Sequence, residues 1–193
     1  MTASAGQIGR TDAARNHERL LAAALAVYAA KGVDASLKEV ADHAGLGVGT
    51  VYRHFPTREA LQEAVLADHL ETLRSRAAEL AQTHPAADAL VTWLGEFIAH
   101  FTQYRGLARA FLPTLSDRRT PLGHACTDMR AAGSMLLEGA KQAGAVRAGL
   151  DAGTMLRLAS GIAMAAEYAP DGAAPLLPWV LDGVLSRPAA GTA

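Results

Sequence analysis

Between Ser36 and Arg58 the chain has little choice but to form two short helices joined by a tight turn. Ser36 is followed three residues later by Glu39, a capping box in which each side chain satisfies an orphan backbone N–H at a helix start. The helix so opened, Leu37 to about His43, stops at Ala44-Gly45, where glycine accepts the positive φ that a steep turn requires. A second short helix is expected from Val48 to His54, because Pro56 cannot continue it, and Thr57 then caps a longer helix starting Arg58-Glu59-Ala60-Leu61. Small Ala41 on the first helix, Gly45 in the turn and apolar Val51 on the second are spaced as a helix-turn-helix demands. Gly47 is an acceptable cap for the second helix, and Gly49 leaves its first turn bare so that a large surface can approach. Read as a phosphate-cradling loop, the same glycines would need a preceding strand, and a P-loop would also need Gly-Lys-Ser/Thr; neither is present.

The rest of the chain is also helical in pattern. Its 193 residues are half hydrophobic but only 5% aromatic, much of the apolar half being alanine, and no run alternates with period two as strands do. Residues 1–12 are small and polar and read as a flexible arm. An amphipathic helix follows from Ala13 to Ala30, carrying Leu20, Leu21, Ala24, Leu25, Val27 and Tyr28, and Gly32 ends it. After the 58–82 helix, further helices are expected at Ala86–Tyr104, Gly106–Leu115, Leu122–Ala143, Asp151–Ala169 and Pro175–Ser186, with Asp117–Pro121 as a loop. The expected architecture is all-α with about nine helices: the arm, a helix-turn-helix domain over 13–66, a helical domain over 67–187 and a tail over 188–193.

Charge and cysteine narrow the function classes. The formal net charge of −1 excludes a uniformly basic nucleic-acid binder, and the first 60 residues hold only seven Lys and Arg against six Asp and Glu. The single Cys126 rules out an internal disulfide and fits a reducing cytoplasm. The N-terminal residues have no apolar core of a signal peptide, and no apolar run is long enough to span a membrane. The seven histidines contain no pair three to five apart, so a metal site is not expected. No nucleophile–base set or cofactor motif is visible.

The segment from about residue 13 to 66 resembles the DNA-binding domain of TetR-family transcriptional regulators. The residues that carry the likeness are Ser36 with Glu39, Val40-Ala41, Ala44-Gly45-Leu46, Gly49-Thr50-Val51-Tyr52, His54-Phe55, and Arg58 with Leu61. Gly47 departs from the family pattern, which often has Ser or Thr there; the departure weakens one cap and removes one phosphate contact. The resemblance implies that Lys38, Val48, Gly49, Thr50 and Arg53 lie near bases and that Ser36, Tyr52, His54 and Arg58 lie near phosphates. The residue types suit these roles. Thr50 and Tyr52 offer hydroxyls, Val48 a methyl surface and Arg53 a donor fork, while Thr57 and Arg58 open a helix whose N–H groups favour an anion. Arg10 and Arg15 are further candidates from the arm. The competing reading makes Lys38 and Arg53 solvated surface charges and His54 a cap of its own helix; Val51 and Phe55 are expected in the core.

In the C-terminal part, the segment 151–169 is apolar nearly all round, so it is expected to be buried on both sides. The resemblance implies that the last two helices build a homodimer interface, with Met155, Ile162, Leu177, Leu181 and Val184 as candidates. It also implies an effector pocket among the middle helices, for which Trp93, Phe97, Phe101, Met129 and Leu136 are candidates, although an aromatic stripe at helical spacing is also what plain core looks like. The implied function is a dimeric regulator, a repressor released by a small molecule, acting on a palindromic double-stranded operator in a bacterial cytoplasm without a cofactor. Two alternatives stand beside it: a DNA-binding dimer with no effector, and a helical enzyme with an incidental helix-turn-helix.

Overall fold

In a computed structural model, residues 5–103, 120–147 and 149–166 of the chain are described, with 172, 176 and 178 singly; side chains are described from Asp12 onward within these stretches. Seven helices lie among them: α1 (Ala5–Lys31), α2 (Leu37–Ala44), α3 (Val48–His54), α4 (Arg58–Thr83), α5 (Ala86–Gln103), α6 (Pro121–Gln142) and α7 (Ala152–Ala166). The protein is all-α. Of the two other expected helices, Gly106–Leu115 falls outside the described residues, as does Pro175–Ser186 apart from Leu176 and Pro178. Two compact units divide the chain, Met1–Leu66 and Ala67–Ala193.

In the first unit, α1 begins at Ala5, so residues 5–12, read from their small polar composition as an arm, belong to that helix. The buried stripe of α1 is Leu20, Ala24, Val27 and Tyr28, and Leu21 and Leu25 are only half-buried. Gly32, at φ 87°, ends the helix with its N–H on the Tyr28 carbonyl at 2.8 Å. The turn before α2 is then held from α4: Gln62 Nε2 donates to Val33 O at 2.7 Å and Arg58 Nη1 to Asp34 O at 3.1 Å. Val40, Ala41, Val51, Phe55, Leu61 and Val65 close a core with the α1 stripe.

In the second unit, the turns of α4 after residue 66 present Leu70, Leu73, Ala77 and Leu80 to the interior, one residue every three or four. From α5 come Leu90, Trp93, Leu94, Phe97, Ile98 and Phe101. Thr120 accepts the Gly123 N–H at 3.0 Å and Pro121 occupies the first turn, so α6 starts at the residue read from sequence as the end of a loop. Asp151 caps α7 through the Thr154 N–H at 2.9 Å. Met155 and Ile162, taken from sequence as dimer-interface residues, are 1% and 7% exposed within the single chain. They pack into its own core, because the α7 face that carries Met155, Leu156, Ala159, Ile162, Ala163 and Ala166 is turned inward. The apolar residues left outward on α7 are Leu158, Gly161 and Ala165. Leu177, Leu181 and Val184 lie outside the described residues.

His69 of α4 and His100 of α5 meet with their Nδ1 atoms 3.2 Å apart and rings edge-on at 5.0 Å. Burial first, and the neighbouring His100 second, push His69 down to about 4. Burial also pushes His100 down, against the pull of Glu96. The folded protein therefore resists protonation here, while the unfolded chain takes up protons near pH 6.5. Stability is highest above that value and is lost as pH falls towards 4. Between pH 6.5 and 5 the loss from His69 alone is expected to be about 1.5 kcal/mol. Urea midpoints of wild type and His69→Gln across this window check it: the variant should show the shallower decline, and parallel curves would refute the assignment.

Candidate nucleic-acid interface

The turn between α2 and α3 is built as its residues require. Gly45 ends α2 at φ 63°, ψ 34°. The Leu46 N–H reaches back to Ala41 O at 3.0 Å, and Arg19 of α1 caps the exposed end by donating to Ala44 O at 2.8 Å. Nothing in the sequence pattern singled out Arg19; its role appears only once α1 is laid beside α2. Gly47 starts α3 with extended backbone (φ −64°, ψ 140°) and supplies no side-chain cap, as its lack of a hydroxyl dictates. Val51 is fully buried and fastens α3 from behind. Ahead of it Val48, Gly49, Tyr52 and Arg53 are all exposed, Val48 by 44% and Tyr52 by 53%. A Cβ placed on Gly47 or Gly49 would meet nothing within 4 Å, so neither glycine is there to make room for another part of the protein.

The other candidate residues divide by what already holds them. Lys38 is exposed on the first turn of α2. Thr50 is half-buried and accepts a hydrogen bond from Arg53 Nη2 at 3.0 Å. Ser36 is committed to its helix: Oγ accepts from the Glu39 N–H at 3.2 Å and donates to Glu39 Oε2 at 2.8 Å. The one proton of that hydroxyl is therefore in use, and a phosphate would have to displace the carboxylate. Lys31, 2.6 Å from Glu39 Oε1, and then the Ser36 N–H and hydroxyl hold the Glu39 carboxyl down to about 2. Ser36→Ala is expected to cost about 1 kcal/mol, read as a drop in melting temperature; a change within error would mean that Lys31 alone suffices to hold Glu39 and the turn.

Thr57 caps α4, accepting the Ala60 N–H at 3.1 Å. Arg58 stands beside it but also lies 3.6 Å from the Asp34 carboxylate and 3.9 Å from that of Glu59. Its guanidinium both ties the α1–α2 turn and presents a half-exposed cation at the start of α4. His54 is half-buried and lies beside Phe55 and a residue the sequence did not point to, His17 of α1. The His17 ring is 6.0 Å from that of His54 and 5.1 Å from that of Phe55. Arg15 is exposed, 3.9 Å from Asp12, and the Arg10 side chain is outside those described.

The structure thus brings Val48, Gly49, Tyr52 and Arg53 onto one exposed surface of α3. The pocket candidates have a different setting: Trp93, Phe97, Phe101, Met129 and Leu136 are all at most 4% exposed. Trp93 donates from Nε1 to Leu73 O at 2.9 Å, and its ring lies so close to Gly133 that a Cβ there would be 2.6 Å from Cη2. Trp93 is packed core on that side. Burial pushes the Cys126 thiol up to about 11, which keeps it protonated and unreactive. Among the described residues no three His, Cys, Asp or Glu are grouped so as to hold a metal ion. No helix among them is long and apolar enough to cross a membrane.

Residues 20–65 match the model for bacterial regulatory proteins of the tetR family. Residues 85–185 match that for the C-terminal domain of SbtR-like transcriptional regulators. A TetR transcriptional regulator from Streptomyces coelicolor is 36% identical, with a TM-score of 0.68 over 90% of this chain and 99% of that one. A TetR transcription regulatory protein from Mycobacterium vanbaalenii is 30% identical, with a TM-score of 0.67 over 92% and 99%. The HTH-type transcriptional repressor KstR2 of Mycolicibacterium smegmatis is 34% identical over 89 residues, a match spanning 46% of this chain and 42% of that protein.

Proposed function

The chain belongs to the TetR family of bacterial DNA-binding transcriptional regulators, and from that premise we propose that it acts as a homodimeric repressor released from a palindromic operator by a small-molecule effector. The observation that carries the proposal is the exposed face of α3, where Val48, Tyr52 and Arg53 surround the bare Gly49. A face of that shape fits the major groove, whose base edges carry a readable donor and acceptor code. Tyr52, His54, Arg58 and the α4 start with its Thr57 cap would take flanking phosphates, and Lys38 would reach in from α2. One seven-residue helix reads few base pairs, so two copies related by a two-fold are needed for useful specificity. The outward Leu158, Gly161 and Ala165 of α7 are the apolar surface proposed to meet the second copy. That KstR2 is a repressor favours repression here.

The effector is proposed to bind among the helices of the C-terminal unit, with Phe97, Phe101, Met129 and Leu136 as its apolar lining. Release would follow from a shift of α4, the helix that leads directly from the α3 turn. Linkage then requires the effector to prefer the DNA-free form, and operator DNA to weaken effector binding by the same factor.

Selection of bound fragments from genomic DNA, followed by titration of the winning site at several salt concentrations, tests the proposal. A palindrome with half-sites a helical turn apart and a steep fall of affinity with salt is the expected result. Failure to enrich any sequence would refute it. Melting-temperature screening against metabolites then tests the effector, since a ligand of the folded state raises stability by mass action.

A further inference from the structure

We infer that Arg53 reads a guanine in each operator half-site, with Thr50 as the positioning residue that sets its guanidinium; the inference rests on the operator-binding reading of α3. Arg53 donates from Nη2 to Thr50 Oγ1 at 3.0 Å. This bond folds the side chain back one turn, towards the start of α3 and away from its C-terminal end. The start of a recognition helix is where base edges come within reach. The guanidinium is thereby drawn towards the turn carrying Gly49, where a Cβ would meet nothing within 4 Å. No side chain at that position holds the helix off the groove floor.

Charge supports the same conclusion. Arg58 and Arg76 lie against carboxylates, whereas among the described residues Arg53 has no carboxylate partner and bonds to a neutral hydroxyl. The same spacing recurs in α7, where Arg157 Nη2 donates to Thr154 Oγ1 at 2.9 Å. There the threonine is itself tied to a carboxylate, its hydroxyl donating to Asp151 Oδ2 at 2.6 Å. The bond itself is thus a product of helical spacing. What sets Arg53 apart is an unneutralised fork on an exposed face beside a bare turn. With one N–H on Thr50, the guanidinium keeps four donors, enough for the paired bonds to O6 and N7 that make guanine the commonest partner of arginine in the major groove. Holding the fork in place beforehand also reduces the side-chain freedom lost on binding.

The test is selection of bound sequences from a random library by wild type, Arg53→Ala, Thr50→Val and Thr50→Ser, each first shown to keep the wild-type melting temperature. Wild type should enrich a guanine at one position of each half-site. Arg53→Ala should level that position alone and weaken binding to the wild-type operator by about 5- to 150-fold per half-site. Thr50→Val should blunt the guanine preference without changing the salt dependence, and Thr50→Ser should retain it. If Arg53→Ala keeps the selected pattern, weakens every site evenly and lowers the salt slope by about one per half-site, Arg53 contacts phosphate and the inference is overturned. A Thr50→Val protein with undiminished guanine preference would overturn the positioning role. Wild type that enriches no palindrome would overturn the operator reading itself, and this failure appears before any variant is compared.

Discussion

Gly49→Glu is expected to remove operator binding while leaving the protein at least as stable as wild type. The position is exposed on the first turn of α3, and an added Cβ would meet nothing within 4 Å. Glutamate is the better helix former by roughly 0.5–1 kcal/mol, and a carboxylate near a helix start is favoured by the backbone dipoles. Stability therefore rises or stays level. On DNA the same carboxylate would face a polyanion across the α3 face proposed to enter the groove, once in each half of the proposed dimer. Like charges brought together at an interface cost several kcal/mol, so the loss on the wild-type operator should be at least ~100-fold. Melting temperature and equilibrium binding at one fixed salt concentration measure both halves of the expectation. Binding within about threefold of wild type would sink the idea that this face of α3 meets DNA, using 1.4 kcal/mol per decade as the scale.

Trp93→Ala is expected to destabilise the C-terminal unit by about 3–5 kcal/mol. The indole is fully buried, tied by Nε1 to Leu73 O at 2.9 Å, and set against Phe97 with ring centroids 5.8 Å apart. Gly133 is the sensitive neighbour. Gly133→Ala would gain about 1 kcal/mol from helix propensity, but its Cβ would lie 2.6 Å from the indole Cη2 and 2.9 Å from Cζ3. Retreat of the ring would strain its bond to Leu73 O and its packing against Phe97. Overpacking costs about 1–3 kcal/mol and should outweigh the propensity gain. With Trp93→Ala already present, the same Gly133→Ala should become stabilising, a coupling that a double-mutant cycle followed by circular dichroism in urea would register. A Gly133→Ala protein more stable than wild type would show that the indole moves aside.

The recognition segment was legible because each of its boundaries has a cause within a few residues. Ser36 with Glu39 opens α2, Gly45 at positive φ closes it, and Thr57 caps α4; each is a local bond or a local steric rule. Val51 and Phe55 could be assigned to the core from the same short window. Other features needed partners far along the chain. Arg19 caps α2 from 25 residues away, and His17 joins His54 and Phe55 only because α1 packs beside them. The small polar residues 5–12 looked like an arm, yet they continue the helix that starts at Ala5; composition reports solubility, and a helix can be polar for several turns.

By itself, then, the sequence determined the helical class, the capped turn between Leu37 and His54 and the outward residues of α3 apart from the half-buried Thr50, because capping, glycine conformation and helical period act over one or two turns. Only the tertiary structure decided which side of an almost wholly apolar helix such as α7 faces inward. Met155 and Ile162 are buried and Leu158 is exposed, a choice that periodicity cannot make when every face is apolar. It was also tertiary structure that set Trp93 against Gly133 and paired His69 with His100. Such contacts depend on how two helices are rotated and shifted against each other, which is settled by packing the whole unit and not by any one segment's preference.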